Sequence, residues 1–312
     1  MSTTIITGGN RDYFKQLKMF VTSLRERGRF TGTVVVCDNT ISGTWDSPGS
    51  YLDAASFTSD QLRFFELNGV SIRPFHELLA ANGVRREQVE TIRGFTTRYP
   101  YKFFYCALLS KELLLEEESK VVYFDSDILF QRDIHELIDD IREDGIYISH
   151  EHSAIGQSRY MSEWLRTTDV SFAAVNQQFY GKLLRSPNYC SGFMGAFAHT
   201  FNGFNLLCIL LASNRFTEFH TDQPLVNVLI NYFGYPIVEV DATRVIHLSH
   251  APADRLSVED GIISLDASVP VAVHFNGGRT GLMERAFTGQ LSARALARGE
   301  SSVFKRILDR LT

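Results

Sequence analysis

The chain has 312 residues, of which 44% are hydrophobic and 21% are charged, and its formal net charge is -5. This length suits one large α/β domain or two small ones and buries a sizeable core. The weakly acidic balance gives no general reason to expect nucleic acid as a partner. The first residues, MSTTIITGG, show no basic start followed by an apolar stretch, so we expect no signal peptide. The longest apolar run near the middle, residues 206–212, is too short to span a membrane. The four cysteines lack metal-like spacing, so we expect reduced thiols in a cytoplasmic protein.

Short apolar runs alternate with amphipathic segments along the chain, which is typical of an α/β fold. The apolar runs predict strands at residues 3–7, 34–37, 70–74, 120–124, 145–148, 192–198, 236–240 and 271–274. Helical spacing predicts helices at residues 13–28, 61–67, 76–81, 86–92, 102–115, 134–141, 201–211 and 224–232. The first strand, helix and strand form a right-handed crossover, so we expect the sheet to begin parallel.

The strand at 120–124 delivers two carboxylates. Its apolar run has no polar alternation, which favours a central parallel strand buried on both faces. Asp125-Ser126-Asp127 follows at once. Two carboxylates so close to a buried strand need a cation or protons to coexist, and ligands of α/β sheets bind at the carboxyl ends of the strands. The alternative is a helix N-cap or turn before the next helix.

Three later stretches carry further candidate residues. Cys190-Ser191-Gly192 stands at a predicted strand start, where glycine lets a substrate approach the backbone or simply makes a tight turn. Thr221 or Asp222 would cap the predicted helix that follows, but capping does not explain Gln223. His274 ends an apolar strand, as the aspartates do, unless it is a core histidine. An imidazole and two carboxylates suit Mn²⁺ or Mg²⁺, and histidine favours Mn²⁺. We expect two strands of one sheet to bring these ligands together.

The order of these motifs resembles that of the family 8 glycosyltransferases, which are retaining enzymes of the GT-A fold. The resemblance implies a mixed, mainly parallel central sheet flanked by helices, with a small C-terminal helical tail. It implies metal ligation by Asp125, Asp127 and His274, and chemistry at the donor sugar by Asp222 and Gln223. It also implies contacts with the nucleotide-sugar donor by Lys102, Ser126, Ser191, Gly192, Gly277 and Arg279. The chain departs from the family pattern at Cys190, where the family usually shows Asn, and at Thr280, where it shows Lys.

The expected reaction transfers a hexose from a nucleotide sugar, a UDP-sugar by resemblance, to an acceptor hydroxyl with retention. The acceptor is an unknown glycan, lipid-linked molecule or protein. One alternative is a phosphohydrolase similar to haloacid dehalogenases, with Asp125 as nucleophile and Asp127 as acid. The other is a nucleotide-sugar-binding module without catalysis.

We expect residues 1–281 to form the transferase domain and residues 282–312 a basic helical tail, with six Lys or Arg against three Asp or Glu. A solvated tail is favoured over a weak contact with a membrane surface. The polar loops at 40–50 and 150–168 are expected to exclude water from the donor.

Overall fold

The computed structural model describes residues 2–39, 57–85, 88, 101–114, 119–142, 145–158, 177–213, 222–276 and 279–296. The strands in chain order are β1 Thr3–Gly9, β2 Thr33–Asp38, β3 Val70–Pro74, β4 Lys120–Phe124, β5 Ile128–Phe130, β6 Ile146–Ala154, β7 Pro187–Phe197, β8 Ile237–Glu239, β9 Val245–His247, β10 Leu256–Glu259, β11 Ile262–Leu265 and β12 Ala272–His274. The helices are α1 Phe14–Glu26, α2 Ser59–Leu67, α3 Phe75–Ala81, α4 Tyr101–Glu112, α5 His135–Ile138, α6 Gln177–Arg185, α7 Ala198–Ala212, α8 Asp222–Asn231 and α9 Thr280–Phe287. This alternation confirms the expected α/β class.

The larger sheet has seven strands within the described ranges, in the order β3-β2-β1-β4-β7-β6-β8. β1 pairs in parallel with β2 and β4, β2 with β3, and β6 with β8. β7 runs antiparallel to both β4 and β6. Every residue of β4 is buried, as expected for a strand covered on both faces. The prediction of a mixed, mainly parallel central sheet is therefore confirmed.

A second sheet has three strands in the order β5-β12-β9. β5 follows β4 after only residues 125–127, so this short segment passes from the larger sheet into the smaller one. In the smaller sheet His274 of β12 is paired with Ile128 of β5. The expectation that one sheet carries both the aspartates and His274 is therefore wrong. The segment 125–127 brings them together, because it runs directly into β5, whose first residue, Ile128, lies opposite His274 in the antiparallel pair with β12.

Aromatic side chains hold the strands that carry residues 125–127. Phe124 of β4 stacks on Phe193 of β7 with ring centroids 5.2 Å apart, and it meets Phe130 of β5 edge-on at 5.0 Å. Phe20 of α1 contacts Phe130 at 5.3 Å. All four rings are buried. Such pairs each add about 0.5–1.5 kcal/mol beyond their buried area, so the cluster fixes β4, β5 and β7 relative to one another.

Several element boundaries differ from the sequence predictions. The strand expected at 192–198 is the longer β7, so Cys190, Ser191 and Gly192 lie inside a buried strand and not at its start. The helix expected at 134–141 is a single turn, α5, although its apolar residues are buried. The sequence predicts none of β5, β9, β10 and β11, since three or four residues are too few to show a period.

The proposed boundary between residues 281 and 282 falls inside α9. This helix buries Met283 and Ala286 in an apolar cluster that also contains Met19 of α1 and Val273 of β12. The division into a domain and a tail stays a prediction, because residues 297–312 lie outside the described ranges. So do the loop at 40–50, the helix at 86–92 apart from Gln88, and residues 159–168 of the loop expected at 150–168. Residues 150–154 of that expected loop belong to strand β6, so this part of the prediction is wrong. Among the described helices, none combines the length and hydropathy needed to cross a membrane.

A buried carboxylate links the two sheets. Glu151 of β6 accepts hydrogen bonds from Asn188 Nδ2 of β7 and from Asn276 Nδ2, just after β12, each at 2.9 Å. Ser249 Oγ donates to it at 3.2 Å, and His250 Nδ1 lies 2.6 Å from its Oε2. Burial raises the pKa of Glu151, but the hydrogen bond and charge of His250 outweigh burial and lower that pKa to about 2.

Because folding lowers the pKa of Glu151, the free energy of unfolding depends on pH. A carboxyl group with a folded pKa of about 2 against 4.5 unfolded contributes roughly 3 kcal/mol above pH 4.5, and this contribution is lost as pH falls toward 2. We expect Glu151→Gln to lower the free energy of unfolding in urea by a comparable amount at pH 7, and the gap from wild type to narrow steadily below about pH 4.5. Exposed Glu259→Gln is the control and should leave the curve unchanged. An equal gap at pH 7 and pH 3 would contradict the assignment.

Candidate active site

Two backbone hydrogen bonds fix the segment between β4 and β5. The N–H of Asp125 donates to the carbonyl of Gly192 on β7 at 2.8 Å, and the N–H of Phe275 donates to the carbonyl of Asp127 at 2.9 Å. One end of the segment is thus held to the larger sheet and the other to the chain that follows β12. Both carboxylates are thereby held beside the end of β12, where His274 stands.

The three predicted metal ligands meet in space. His274 Nε2 lies 3.0 Å from Asp127 Oδ1 and 3.5 Å from Asp125 Oδ2. One potential ligand atom from each residue lies within 4.8 Å of the other two. His274 is buried, whereas the side chains of Asp125 and Asp127 are 31% and 23% exposed. An ion can therefore reach the group from the carboxylate side.

These residues fit a divalent cation. Two carboxylates and an imidazole match the oxygen and nitrogen ligands that Mn²⁺ takes. Burial raises the pKa of Asp127, but the charge and hydrogen bond of His274 outweigh it and lower that pKa. Burial lowers the pKa of His274, but the charge of Asp127 together with the contacts to Asp127 and Cys190 outweighs burial and raises that pKa well above its ordinary value. Histidine thus balances the carboxylate charge, and a cation held by these three residues would take over that function.

Gly192 makes room for this group. A Cβ on Gly192 would clash with the imidazole of His274, 2.7 Å from its Nδ1, and would lie 2.9 Å from Asp125 Oδ2. Real Cβ atoms essentially never approach other atoms so closely. The space above this glycine is therefore filled by two predicted metal ligands. Contact of Gly192 with the donor stays a prediction.

Lys102 on α4 joins two acidic residues that are far apart in sequence. Its Nζ donates to Asp222 Oδ2 at 2.6 Å and to Asp125 Oδ1 at 3.3 Å. It also lies 4.4 Å from the ring centroid of Tyr123. Burial lowers the pKa of Lys102, but the charges of Asp125 and Asp222 outweigh it and raise that pKa. Lys102 is only 4% exposed, so it offsets the two carboxylates. Its contact with the donor stays a prediction.

Asp222 and Gln223 begin α8 at the same edge. Asp222 Oδ2 accepts a second hydrogen bond from Ser191 Oγ of β7 at 2.8 Å. Gln223 Nε2 donates to Asn188 Oδ1, also on β7, at 3.1 Å. The structure therefore brings Asp222, Gln223 and Ser191 to the edge that carries the predicted metal ligands, with Lys102 as the link.

The remaining predicted donor contacts are placed less fully. Ser126 lies between the two aspartates and is partly exposed. Arg279 precedes α9 and is buried. Gly277 lies outside the described residues. The donor-binding roles of all three stay predictions.

Sequence analysis misses two side chains of the site. Tyr123 of β4 donates its hydroxyl proton to Asp125 Oδ1 at 2.6 Å, but a tyrosine within an apolar run gives no sign of this. His247 of β9 lies behind His274, with the two Nδ1 atoms 3.1 Å apart. Burial and the charge of His274 lower the pKa of His247 to about 3, so it is neutral. Its signal is an apolar pair, Val245 and Ile246, that ends in histidine, which is the pattern that singles out His274.

Comparison with known proteins gives one family and a fold. The family model described as glycosyl transferase family 8 matches residues 5–179, which is more than half of the chain. The matched region contains Lys102, Asp125 and Asp127 but ends before Asp222 and His274. No curated protein sequence matches the chain.

Two solved structures share the fold. An apo structure of the bifunctional glycosyltransferase WbbM has a TM-score of 0.58 at 11% identity; the match covers 98% of this chain and 51% of that one, so this chain spans about half of its length. The apo form of mouse xyloside xylosyltransferase 1 has a TM-score of 0.53 at 13% identity over 89% of this chain and 98% of that one. These likenesses confirm the expected GT-A type of fold. The family match, which covers more than half of the chain, shows that the chain belongs to glycosyl transferase family 8.

Proposed function

We propose that the protein is a metal-dependent glycosyltransferase that moves a hexose from a UDP-sugar to an acceptor hydroxyl with retention. Family membership supports the transfer chemistry. One observation carries the proposal: two carboxylates and an imidazole that can hold a cation converge with Asp222 and Gln223 at one sheet edge. The acceptor is a glycan, a lipid-linked molecule or a protein.

The donor diphosphate is assigned to the face of Asp125, Asp127 and His274. Mn²⁺ or Mg²⁺ bound there would act as a Lewis acid on the leaving diphosphate. Tyr123 and Lys102 hold Asp125 through its Oδ1 atom, which leaves Oδ2 on the side of His274. The protein thus orients this ligand before any donor arrives, and such preorganisation costs nothing at the moment of reaction.

The nucleoside is assigned to the end of β1. β1 pairs Ile6 with Tyr123 of β4, so its last residues run on beside residues 125–127. Thr7 Oγ1 is buried and has no hydrogen-bond partner among the described residues. A buried polar atom of this kind costs stability unless a ligand or water satisfies it, and the polar edge of a uridine would do so.

A chain of hydrogen bonds fixes the orientation of Gln223. The carboxylate of Glu151 only accepts, so Asn188 must turn its Nδ2 toward it. Asn188 Oδ1 then faces Gln223 and requires the Nε2 donor. The amide oxygen of Gln223 therefore points the other way. A carbonyl oxygen suits the positive charge that develops on the sugar ring in an oxocarbenium-like transition state.

The two alternative functions, a phosphohydrolase and a binding module without catalysis, predict different observations. In phosphohydrolases similar to haloacid dehalogenases the aspartate pair follows the first strand of the domain, whereas here β1, β2 and β3 precede it. Family membership also favours transfer. A binding module without catalysis would show the same ligand set but no turnover. Slow Mn²⁺-dependent hydrolysis of a UDP-sugar separates transfer from this last alternative.

The first test concerns the metal. Asp127→Asn should fold normally and lose Mn²⁺-dependent binding of UDP, by more than about 100-fold, because even residues that only support a ligand cost 10- to 100-fold in metal affinity. Isothermal titration with UDP, with Mn²⁺ or with EDTA, measures this. Exposed Asp139→Asn is the matched control and should bind as wild type does. Wild-type affinity in EDTA would exclude the metal assignment.

The second test concerns Gly192. Gly192→Ala should displace His274 or Asp125 and weaken Mn²⁺ binding by at least about tenfold, because the added methyl group overlaps both side chains. Gly203→Ala on α7 has open space for its Cβ and serves as control. Metal affinity is read from the electron paramagnetic resonance signal of free Mn²⁺. Unchanged affinity in Gly192→Ala would show that the ion does not need this arrangement.

The third test concerns Gln223. Gln223→Ala should lower kcat about 100-fold with little change in KM for the donor, since a group that acts on developing charge is felt in the transition state. Asn188→Ala should change kcat in the same direction but less, because it removes only the anchor. The product should keep the anomeric configuration of the donor, as read by NMR coupling constants. A rise in KM that matches the loss of kcat would make Gln223 a binding residue only.

A further inference from the structure

The side of His274 that faces away from the aspartates meets a second set of ligand-type atoms. Its Nδ1 lies 3.5 Å from Cys190 Sγ of β7 and 3.1 Å from His247 Nδ1 of β9. One potential ligand atom from each residue lies within 4.8 Å of the other two. All three side chains are at most 3% exposed. A thiol and two imidazoles are therefore gathered in the interior, behind the predicted Mn²⁺ site.

These distances fit one ion. Tetrahedral zinc with bonds of about 2.05 Å to nitrogen and 2.3 Å to sulfur sets its nitrogens about 3.3 Å apart and nitrogen about 3.6 Å from sulfur. The observed separations are 3.1 Å between the two nitrogens and 3.5 Å between nitrogen and sulfur. Simple hydrogen bonding explains the contact between the histidines, but a thiol is a weak partner for it.

We propose that Cys190, His247 and His274 form a second metal site, selective for Zn²⁺, and that an ion there excludes the cation from Asp125, Asp127 and His274. Sulfur and imidazole ligands select Zn²⁺ over Mn²⁺, whereas the carboxylate site suits Mn²⁺. Sulfur comes from Cys190, the residue that departs from the Asn of the family pattern. On binding, the thiol gives up its proton to solvent and the sulfur lone pair forms the bond to the ion.

Exclusion follows from the single lone pair of a neutral imidazole. With an ion on Nε2, the proton of His274 is on Nδ1 and is donated to His247 Nδ1, while His247 Nε2 donates to Ser149 Oγ, 2.7 Å away. With Zn²⁺ on Nδ1, the proton is on Nε2 and is donated to Asp127 Oδ1. The two states are therefore alternatives. This part rests on the proposed function, since it assumes the cation at the aspartates.

Co²⁺ tests the new site directly, because a cobalt–thiolate bond gives a charge-transfer band in the near ultraviolet and carboxylate ligation does not. Wild-type protein titrated with Co²⁺ should show this band at one ion per chain. Cys190→Ser, close to the same size, should abolish the band, and His247→Gln should weaken Co²⁺ binding more than about 100-fold. Cys208→Ser, which replaces a buried thiol on α7 outside the site, should keep the charge-transfer band, and so should Asp127→Asn.

No band in wild-type protein, or a band that survives in Cys190→Ser, would overturn the site. Circular dichroism confirms that each variant is folded. If His247→Gln does not fold, Cys190→Ser with its Cys208→Ser control still decides the question.

Competition tests the exclusion. Mn²⁺ bound to zinc-free protein is followed by electron paramagnetic resonance while one equivalent of Zn²⁺ is added. Zn²⁺ should release Mn²⁺ from wild-type protein and, at the same concentration, leave at least about tenfold more Mn²⁺ bound to Cys190→Ser. If Zn²⁺ released Mn²⁺ equally from wild-type protein and from Cys190→Ser, Zn²⁺ would bind at the aspartates, and the proposed exclusion of one ion by the other would be refuted. Absence of Mn²⁺ binding in zinc-free protein, together with an intact cobalt–thiolate band, would overturn the proposed function and the exclusion while the zinc site remains.

Discussion

Three carboxylates at one sheet edge impose the constraint on which the site depends. Asp125, Asp127 and Asp222 come from two distant parts of the chain, and their mutual repulsion in a partly buried place must be offset. Lys102 bridges two of them and His274 faces two of them. Both of these cationic partners are nearly buried. The site therefore assembles only when helix α4 and strand β12 are both in place.

The fold supplies these positions by changing sheets at residues 125–127. Because β4 belongs to the larger sheet and β5 to the smaller one, the aspartates lie at the junction between the two sheets. Because Gly192 has no side chain, the imidazole of His274 can pack beside the aspartates at this junction. Glu151 also links the two sheets, because it accepts hydrogen bonds from Asn188 of β7 and from Asn276, just after β12. The junction between the two sheets thus determines the geometry of the predicted metal ligands, the orientation of Gln223 and part of the stability of the fold.

The sequence predicts the parts of this arrangement whose signals are local. Asp125, Asp127 and His274 each follow an apolar run, and a buried strand ending in a ligand-type side chain is readable without tertiary information. The strands of the larger sheet are predictable for the same reason. The motif order in the chain then identifies the family, which the family match confirms.

What the sequence cannot predict depends on tertiary pairing. Lys102 and Asp222 are 120 residues apart, and nothing in either neighbourhood indicates that they form an ion pair. The smaller sheet has strands of three residues, too short to show a period, so the prediction of one shared sheet is wrong and His247 is missed. The scattered cysteines suggest no metal spacing, yet folding places Cys190 beside two histidines. Spacing rules do not detect ligands that three separate strands contribute.

The central claim is that His274 and the two aspartates hold the same cation although different sheets carry them. Pulsed electron paramagnetic resonance of Mn²⁺ bound to protein labelled with ¹⁵N in histidine tests this most directly, because it detects a nitrogen bonded to the ion. We expect a single strongly coupled histidine nitrogen that disappears in His274→Gln while weaker Mn²⁺ binding persists. Mn²⁺ bound with wild-type affinity and no histidine coupling, or coupling that survives in His274→Gln, would contradict the account.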